Sequence, residues 1–482
     1  MSKKEKGFVK EITSREEDYS QWYVDVILKT EMVDYAPVKG CMVIRPYGYT
    51  LWENMQSRLD KRIKDTGHKN AYFPLFIPES LLQKEAEHVE GFAPEVAWVT
   101  QGGSEKLTER LVVRPTSETI ICSMYAKWIQ SYRDLPVLIN QWCNVVRWEK
   151  TTRPFLRTSE FLWQEGHTAH RTEEEAQEET LKMLEVYRDF AENDLAIPVI
   201  RGRKTEREKF AGALKTYTIE ALMGDGRALQ AGTSHNLGQH FAKVFDITFL
   251  DQDDQLKYVW QASWGVSTRL IGAIIMVHGD DRGLKFPPVV APVQVIIVPI
   301  MPKKTREQVL PKAREIMDRF KNEIRMEIDE RDYSPGWKFN EWEMKGVPLR
   351  MEIGPKDLEK GHVVLVRRDT GEKIFVKEEE LEKTLKSLLE EIQKNMFQQA
   401  LDFRTENTRF CNDYQEFKEI IEEKKGLVIT GWCGRDECEE RIKDESKATI
   451  RCIPLEEEGK GEGLCICCGQ EARETVYFAR AY

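Results

Sequence analysis

The chain has 482 residues, of which 41% are hydrophobic and 32% charged, and its formal net charge is -10. This length is enough for two to four domains, and the composition is ordinary for a folded globular protein. The polar, charged N-terminus does not read as a signal peptide, and no apolar run approaches the ~20 residues that a membrane-spanning helix needs. The acidic balance argues against indiscriminate nucleic-acid binding but permits a local basic surface.

Hydrophobic periodicity predicts a helix and then strands in the first third of the chain. From Tyr47 to Gly67, apolar residues recur every four positions, which predicts an amphipathic helix that ends at the glycine. Apolar runs predict strands at 71–78, 111–114, 136–148 and 157–163. A charged helix at 172–194, glycine-rich turns, further strands ending near Trp264 and an apolar helix from Arg269 to Val277 follow. Mixed strands with close connections indicate an antiparallel sheet backed by helices.

The composition changes after Leu284, where LKFPPVVAP carries three prolines in nine residues and predicts a linker. Beyond it, strand-like and helix-like stretches alternate, as in a compact α/β domain. A long charged helix, about 378–408, leads to a third unit. We therefore predict an α+β protein with domains at 1–284, 285–400 and 401–482.

The segment 144–167 carries the densest chemical signal. Arg147 and Glu149 are two residues apart near the predicted end of a strand, so their side chains share a face. Arg157, Phe161 and Glu165 follow at steps of four along a return strand. A cation for phosphate, an aromatic ring for a purine and carboxylates for a metal or an amine are what adenylate chemistry needs. A solvated ladder of Arg and Glu on a strand would give the same pattern.

This segment resembles motif 2 of the class II aminoacyl-tRNA synthetases, with its R-x-E, loop and R-x-x-x-F. The helix-strand-proline unit that ends at Pro78 resembles motif 1, and WGVSTRLIGAIIMVHGDDRGL resembles motif 3, with Arg269 at a helix start. Within that class, RPTSE, NQWCNVVRWE, FLWQEGHTAH, QAGTSHNLGQ, SPGWKF and the cysteine-bearing tail resemble the prolyl-tRNA synthetases of archaeal and eukaryotic type. The resemblance covers essentially the whole chain. It implies a class II antiparallel sheet, an α/β anticodon-binding domain and a small α/β zinc-binding domain.

The resemblance also implies roles for individual residues. The ATP site would comprise Arg147, Glu149, Arg157, Thr158, Phe161, Gln230, Thr233, Ser267 and Arg269, with Phe161 and Arg269 sandwiching the adenine. The proline site would comprise Thr116, Glu118, Arg147, Trp163, Glu165, Phe210 and His235. Taken alone, Thr116 and Glu118 also fit a helix N-terminus, and Trp163 and Phe210 also fit a core.

The implied reaction is ATP-dependent activation of L-proline followed by transfer to the 3′ end of proline tRNA, without an editing domain. Catalysis would rest on positioning and charge stabilisation by Arg147, Arg157, Arg269 and Mg²⁺. We expect a cytoplasmic homodimer that contacts neither membranes nor DNA. In the second domain, the charged residues among aromatic ones that would face the anticodon are Lys338, Glu341, Lys345, Arg350 and Arg367.

Seven of the ten cysteines lie between Cys411 and Cys468. Two close pairs, Cys433 with Cys438 and Cys465 with Cys468, suit a structural tetrahedral Zn²⁺ site. The spacing leaves Cys467 as an alternative to Cys468, and the resemblance supports Cys468. A reduced, metal-free thiol cluster is the simpler alternative.

Two other functions remain compatible with parts of this pattern. A synthetase-like RNA-binding regulator without catalysis is expected to have lost a phosphate-binding arginine, whereas Arg147, Arg157 and Arg269 are all present. A class II synthetase for another amino acid is disfavoured by the PTSE and SHNLG segments, which are of the proline type.

Overall fold

The computed structural model describes residues 12–86, 95–301 and 305–482. In the N-terminal region the helices are α1 (Tyr19–Lys29), α2 (Pro46–Asp65), α3 (Glu79–Ala86), α4 (Glu118–Trp128), α5 (Glu173–Asp189), α6 (His240–Phe245) and α7 (Arg269–His278). The strands are β1 (Val33–Tyr35), β2 (Met42–Ile44), β3 (Lys69–Asn70), β4 (Phe76–Pro78), β5 (Ala97–Gly102), β6 (Glu105–Val113), β7 (Val137–Val146), β8 (Glu160–His170), β9 (Val199–Arg203), β10 (Lys215–Leu222), β11 (Ala228–Gly238), β12 (Thr248–Leu250), β13 (Leu256–Tyr258) and β14 (Trp260–Ser267).

The predicted antiparallel sheet is confirmed. Strands β9, β10, β11, β14, β8 and β7 lie side by side in that order and pair antiparallel, and β3 adds to β7 in parallel. Helix α5 packs on one face, where its Tyr187 hydroxyl contacts the Gln164 side chain of β8 at 2.5 Å. Because side chains alternate along a strand, Phe161, Trp163, Glu165 and His167 of β8 point to the other face.

The helix predicted between Tyr47 and Gly67 is confirmed as α2. Its residues Leu51, Met55, Leu59 and Ile63 are each at most 1% exposed. Pro46 occupies the first turn, where its missing N–H costs nothing, and Gly67 follows the helix with a positive φ of 93°. A single apolar stripe therefore anchors this helix to the core.

The predicted strands have different bounds in the structure. In the segment 71–78 only Phe76–Pro78 is a strand, because the backbone amide of Phe73 donates to the Gln141 side chain instead of a neighbouring strand. Strand β8 begins at Glu160, not at Arg157. Arg147 and Glu149 likewise follow the end of β7 at Val146, so both motif 2 arginines lie on the connecting segment.

The second region confirms the predicted β-α rhythm. Its elements are β15 (Val295–Pro299), α8 (Arg306–Phe320), β16 (Met326–Ile328), α9 (Pro335–Met344), β17 (Leu349–Ile353), α10 (Pro355–Lys360), β18 (His362–Arg367), β19 (Lys373–Lys377) and α11 (Leu381–Glu406). The sheet order is β16-β15-β17-β18-β19, parallel in the first three strands and antiparallel in the rest. The proline-rich linker is packed, since Phe286 and Val290 lie in the core of the N-terminal region.

The third region consists of β20 (Thr408–Phe410), α12 (Tyr414–Glu419), β21 (Leu427–Trp432), α13 (Asp436–Ser446), β22 (Thr449–Pro454) and β23 (Glu474–Ala479). Strand β22 pairs with β9, placing Ile453 opposite Arg203, so the two sheets join into one of eleven strands within the described residues. Helix α11 runs through Ala400 to Glu406. A domain boundary at residue 400 would cut this helix, and we propose Asn407 as the better position. Short 3₁₀ or π turns occur at Tyr132–Asp134, Phe190–Asp194, Glu378–Glu380, Ile420–Lys424 and Leu455–Glu457.

Candidate active site and cysteine cluster

The face of the sheet opposite α5 carries a cavity of about 330 Å³, which we call the main cleft. Its walls come from β8, β11, β14, the start of α7, the start of α4 and the loop 204–214 between β9 and β10. A smaller cavity of about 50 Å³, the side hollow, adjoins it, and both are lined by Arg147, Phe161, Ser267 and Arg269. The two cavities therefore form one continuous site.

Every residue predicted for the two substrate sites lines one of these cavities. The main cleft includes Thr116, Glu118, Arg147, Phe161, Trp163, Glu165, Phe210, Gln230, Thr233, His235, Ser267 and Arg269. The side hollow adds Glu149, Arg157 and Thr158. Residues far apart in sequence thus converge on one site, although their roles remain predictions.

Three arginines, Arg147, Arg157 and Arg269, give one end of the site a positive charge. The Nε atom of Arg147 donates to the Pro115 carbonyl oxygen at 3.0 Å, and that of Arg269 donates to the Leu156 carbonyl oxygen at 3.2 Å. Burial lowers the pKa of both groups, and the charge of Arg147 lowers that of Arg269 further. An arginine pKa starts far above neutrality, so both remain cations. Two such cations suit an anionic ligand such as a polyphosphate.

The cations are held beside aromatic rings. The guanidinium carbon of Arg147 lies 5.5 Å from the centroid of Phe161 and 5.3 Å from that of Trp163. Arg157 lies at the outer edge, where its Nε is 3.2 Å from the Glu149 carboxylate. A flat ring and planar guanidinium groups at the mouth of the cleft suit a purine base.

The other end of the cleft is acidic and buried. Glu165 accepts hydrogen bonds from the Ser117 hydroxyl at 2.5 Å and the Gln141 amide at 2.9 Å, and its Oε2 lies 3.0 Å from His167 Nε2. Burial alone would raise the pKa of Glu165, but these partners, His167 first, lower it to about 2. Glu118 is also buried and accepts a short hydrogen bond from the Thr116 hydroxyl. Carboxylates in this setting suit an amine.

A neutral aromatic wall stands opposite these acids. The ring of Phe210 packs on the His235 imidazole with centroids 4.8 Å apart, and His235 Nδ1 lies 3.0 Å from the Thr216 hydroxyl. Burial, with a smaller contribution from the charge of His167, lowers the pKa of His235 to about 3. The imidazole is therefore uncharged near neutral pH and presents a flat surface to a small apolar ring.

Several residues of the cleft were not predicted from the sequence. His167 follows Glu165 by two positions, so strand alternation was a sufficient signal for it. Glu208, Thr216 and Ser263 also line the cleft, and no local pattern singles them out. The buried Ser263 hydroxyl has no hydrogen-bond partner among the described residues and is available to a ligand.

The structure argues against two of the predicted anticodon contacts. Lys338 is 2% exposed, and its ammonium donates to the Asp329 carbonyl oxygen at 2.9 Å. Arg367 is 4% exposed and paired with Asp369 and Glu391. Both charges are already buried and paired, which leaves them unsuited to contact RNA.

The remaining predicted anticodon contacts lie near α9 and β17. Arg350 lines a hollow of about 150 Å³ and stacks on Phe339, with its guanidinium carbon 4.2 Å from the ring centroid. Lys345 Nζ lies 3.8 Å from Glu341 Oε1 on α9. The side chains of Glu341, Lys345 and Arg350 are 9%, 13% and 14% exposed, more than those of Lys338 and Arg367, although each also has an ion-pair partner.

The four predicted metal ligands converge in the third region. The sulfur atoms of Cys433, Cys438, Cys465 and Cys468 all lie within 4.8 Å of one another, and Cys433 is 3.6 Å from Cys438 and 3.7 Å from Cys468. A zinc ion ~2.3 Å from four tetrahedral sulfurs requires sulfur separations of about 3.8 Å. The donor set therefore fits zinc, and Cys467 is not part of it.

The pKa values of the four cysteines are shifted in different directions: those of Cys433 and Cys468 are lowered, whereas burial raises those of Cys438 and Cys465. The backbone amide of Gln470 is the main group that lowers the pKa of Cys468, to about 6, with smaller contributions from Cys465, Cys438 and Arg435. The Arg435 Nη2 atom donates to the Cys468 sulfur at 3.2 Å. Because a metal binds the thiolate form, this setting is consistent with a metal ligand.

Three family models match successive parts of the chain. They are the tRNA synthetase class II core domain (G, H, P, S and T) over residues 98–278, the anticodon binding domain over residues 294–388 and the C-terminal domain of prolyl-tRNA synthetase over residues 414–482. Together with the antiparallel sheet and its arginine-lined cleft, these matches define a class II aminoacyl-tRNA synthetase.

Comparison with named relatives shows to which family of this class the chain belongs. The chain is 68% identical to the proline–tRNA ligase of Natranaerobius thermophilus and 64% identical to that of Alkaliphilus oremlandii, with 100% of each chain covered. It is 60% identical to proline–tRNA ligase 2 of Bacillus cereus, covering 98% of this chain and 99% of the relative. The chain belongs to the prolyl-tRNA synthetase (proline–tRNA ligase) family.

None of the helices that the structure describes is long and apolar enough to cross a membrane.

Proposed function

We propose that the main cleft and the side hollow perform both steps of prolyl-tRNA synthesis. A carboxylate oxygen of proline attacks the α-phosphorus of ATP, the bond to pyrophosphate breaks, and prolyl-adenylate forms. The 3′-terminal ribose hydroxyl of tRNA then attacks the prolyl carbonyl, and AMP leaves. This proposal is carried by one observation: Arg147 and Arg269 line both cavities. They therefore connect the cationic, aromatic end of the site with its acidic, aromatic end.

At the ATP end, Arg147 holds the α-phosphate and the proline carboxylate, and Arg157 holds the outer phosphates. Phe161 and Arg269 enclose the adenine, Glu149 faces its edge, and Gln230, Thr233, Ser267 and the Thr158 backbone complete the site. Charge placed where negative charge develops lowers the barrier without any covalent intermediate on the protein.

At the amino acid end, Glu118 is the better acceptor for the secondary amine of proline. Both oxygens of Glu165 are already occupied, Oε1 by Ser117 and Gln141 and Oε2 by His167. We propose that Glu165 orients its neighbours and contributes charge, while Thr116 positions Glu118. The proline ring then rests among Trp163, Phe210 and His235.

Mg²⁺ is proposed to bind with ATP and to neutralise charge on its phosphates. The residues that line the side hollow include one carboxylate, that of Glu149, which is 28% exposed and paired with Arg157. A site with so few oxygen ligands suits a cation held largely by phosphate oxygens.

The third region is proposed to hold one structural Zn²⁺ through Cys433, Cys438, Cys465 and Cys468. A closed set of four thiolates leaves no position for a substrate, so the ion would stabilise this region and take no part in proline activation.

Proline tRNA is proposed to contact the second region through Arg350, Glu341 and Lys345. The proposed homodimer uses the part of the chain that resembles motif 1, where Tyr49, Tyr72 and Phe76 are exposed. Further large apolar side chains are exposed in the segments before and after it: Tyr35, Val38, Val43 and Trp98. We propose that this homodimer is cytoplasmic and binds neither DNA nor membranes.

The deciding experiment is ATP–pyrophosphate exchange with each of the twenty amino acids, followed by charging of proline tRNA. Proline-dependent exchange with charging supports the proposal. Exchange that depends on another amino acid, or RNA binding without any exchange, supports the alternative functions instead.

A further inference from the structure

The loop 204–214 between β9 and β10 separates the main cleft from the third region. On its inner side, Glu208 and Phe210 line the cleft. The Phe210 backbone amide donates to the Thr216 hydroxyl at 2.9 Å, and the same hydroxyl lies 3.0 Å from His235 Nδ1. The position of Phe210 therefore depends on how this loop is held.

The outer side of the loop is bound to helix α13. The Thr205 hydroxyl donates to Glu439 Oε1 at 3.1 Å, and both side chains are at most 2% exposed. Arg207 Nη2 lies 3.0 Å from Glu440 Oε1. Thr205 also closes the turn that leads to Phe210, because its carbonyl oxygen accepts from the Lys209 amide at 3.0 Å. One threonine thus joins α13 to the turn below Phe210.

The start of the loop is fixed by a buried ionic cluster. The Lys204 ammonium donates to Glu220 Oε1 at 2.8 Å and to the Arg451 carbonyl oxygen at 2.7 Å. The Nε and Nη2 atoms of Arg451 donate to Glu220 Oε2 at 3.0 and 2.9 Å. Separating these groups would leave an unpaired charge in the interior, so the cluster resists movement of the loop.

Strand pairing adds a third constraint. Strand β22, which carries Arg451, pairs with β9 immediately before the loop, with Ile453 opposite Arg203. The lining of the main cleft comes from the N-terminal region. The third region therefore does not line the cleft itself but contacts the loop that does.

We propose that the third region completes the proline pocket from outside. Thr205, held by Glu439, and Arg451, held by Glu220, are positioning residues that aim Glu208 and Phe210 into the cleft. This inference rests on the proposed assignment of the acidic end of the cleft to proline. It predicts that weakening either attachment impairs proline binding more than ATP binding.

The test uses full-length protein and two matched substitutions. Thr205→Val removes the hydroxyl and keeps the shape, whereas Thr205→Ser keeps the hydroxyl. In pyrophosphate exchange, we expect Thr205→Val to raise the proline KM about three- to tenfold, because it removes the hydroxyl's bonds to Glu439 and to the Glu208 amide, with the ATP KM within about twofold of the parent. Thr205→Ser should restore the parent proline KM. Equal rises in both KM values, or no change, would overturn the proposal.

A second pair tests the ionic attachment. Arg451→Lys keeps the charge and Arg451→Met removes it, and the unfolding temperature of each variant is measured beside its kinetics. We expect Arg451→Met to raise the proline KM more than Arg451→Lys. If Arg451→Met does not fold, the Thr205 pair alone decides.

The proline KM of Phe210→Ala shows whether a negative result refutes this inference alone or also the assignment of the pocket to proline. If Phe210→Ala raises the proline KM while Thr205→Val does not, the pocket is supported and the attachment is refuted. If Phe210→Ala leaves the proline KM unchanged, the pocket assignment fails, and this inference fails with it.

Discussion

Glu165 Oε2 and His167 Nε2 lie 3.0 Å apart on the same face of β8, and both side chains are buried in the cleft. Burial would raise the pKa of the acid and lower that of the imidazole, but their mutual contact reverses both effects. The pKa of Glu165 falls to about 2, and that of His167 rises above its ordinary 6.5. The contact therefore favours the charged form of both groups.

The first prediction follows from the sign of these shifts. A raised histidine pKa stabilises the fold fully below pH 6.5, and the contribution disappears as the pH rises through the folded-state value. We expect His167→Gln to lower stability by about 1–3 kcal/mol near pH 6, and by less near pH 9. Thermal unfolding of both proteins across this range is the measurement. A difference that does not change with pH would show that the pair is not charged.

The second prediction concerns Arg147, which lines both cavities. Arg147→Ala should reduce proline activation by about 2–4 kcal/mol of transition-state stabilisation or more, because it removes a charge from the reacting phosphate. Pyrophosphate exchange measures the loss. Arg171→Ala is the matched control, since Arg171 pairs with Asp251 away from the lining of the cleft. Near-normal exchange in Arg147→Ala would exclude Arg147 from the mechanism.

Most of the site follows from local sequence once the strands are placed. Phe161 and Glu165 share a face of β8 by alternation, and the same rule extends to His167. Gln141 lies opposite Glu165 in the β7–β8 ladder. That register was not predictable, because the thirteen-residue connection 147–159 between the strands does not fix it.

Some elements of the fold are likewise predictable from local sequence, whereas others depend on contacts between residues far apart in the chain. Helix α2 and the apolar α7 are fixed by their own periodicity. The pairing of β22 with β9 joins Ile453 to Arg203, which are 250 positions apart. No local pattern encodes such a contact, so the pairing of the third region with the central sheet was not predictable from the sequence.

The third prediction concerns the cysteine cluster. Protein purified without added metal should contain about one zinc per chain, measured by elemental analysis. Cys468→Ser should lower the zinc content and the unfolding temperature, because it removes one of four ligands. Cys467→Ser, one position away, should change neither. The reverse pattern would assign the metal to Cys467, and metal-free parent protein would leave only a thiol cluster.

The fourth prediction concerns the C-terminal residue, Tyr482, which docks on the N-terminal region. The Tyr482 hydroxyl donates to Asp225 at 2.6 Å, and the guanidinium groups of Arg153 and Arg227 each lie 5.3 Å from its ring. Arg153 belongs to the segment between β7 and β8, which carries the motif 2 arginines. Deleting Tyr482 should therefore reduce proline activation.

Tyr482→Phe is the companion variant, since it keeps the ring over both arginines and loses only the hydroxyl. It should retain most of the activity, measured by pyrophosphate exchange at saturating ATP. Full activity after deletion would show that the docked tyrosine has no influence on the motif 2 segment.

The last prediction concerns how accurately the protein selects proline, and it depends on what the chain forms between Glu165 and Gln230. Residues 166–229 are all described, and they form the end of β8, α5, β9, the loop 204–214, β10 and the turn to β11. These elements belong to the central sheet and its covering helix. No part of this stretch remains for a second, hydrolytic domain.

Discrimination against other amino acids should therefore depend on the synthetic pocket alone. Alanine lacks two of proline's ring methylenes, and each is worth about 1–3 kcal/mol in an apolar pocket, so rejection of alanine is strong but incomplete. Cysteine is closer to proline in volume, and its thiol can lie against Phe210 and Trp163 with little polar cost. We expect detectable activation of cysteine, weaker activation of alanine, and no hydrolysis of preformed alanyl-tRNA. Exchange assays with proline-free cysteine, beside a deacylation assay, measure all three, and rapid deacylation would reveal a hydrolytic site elsewhere in the chain.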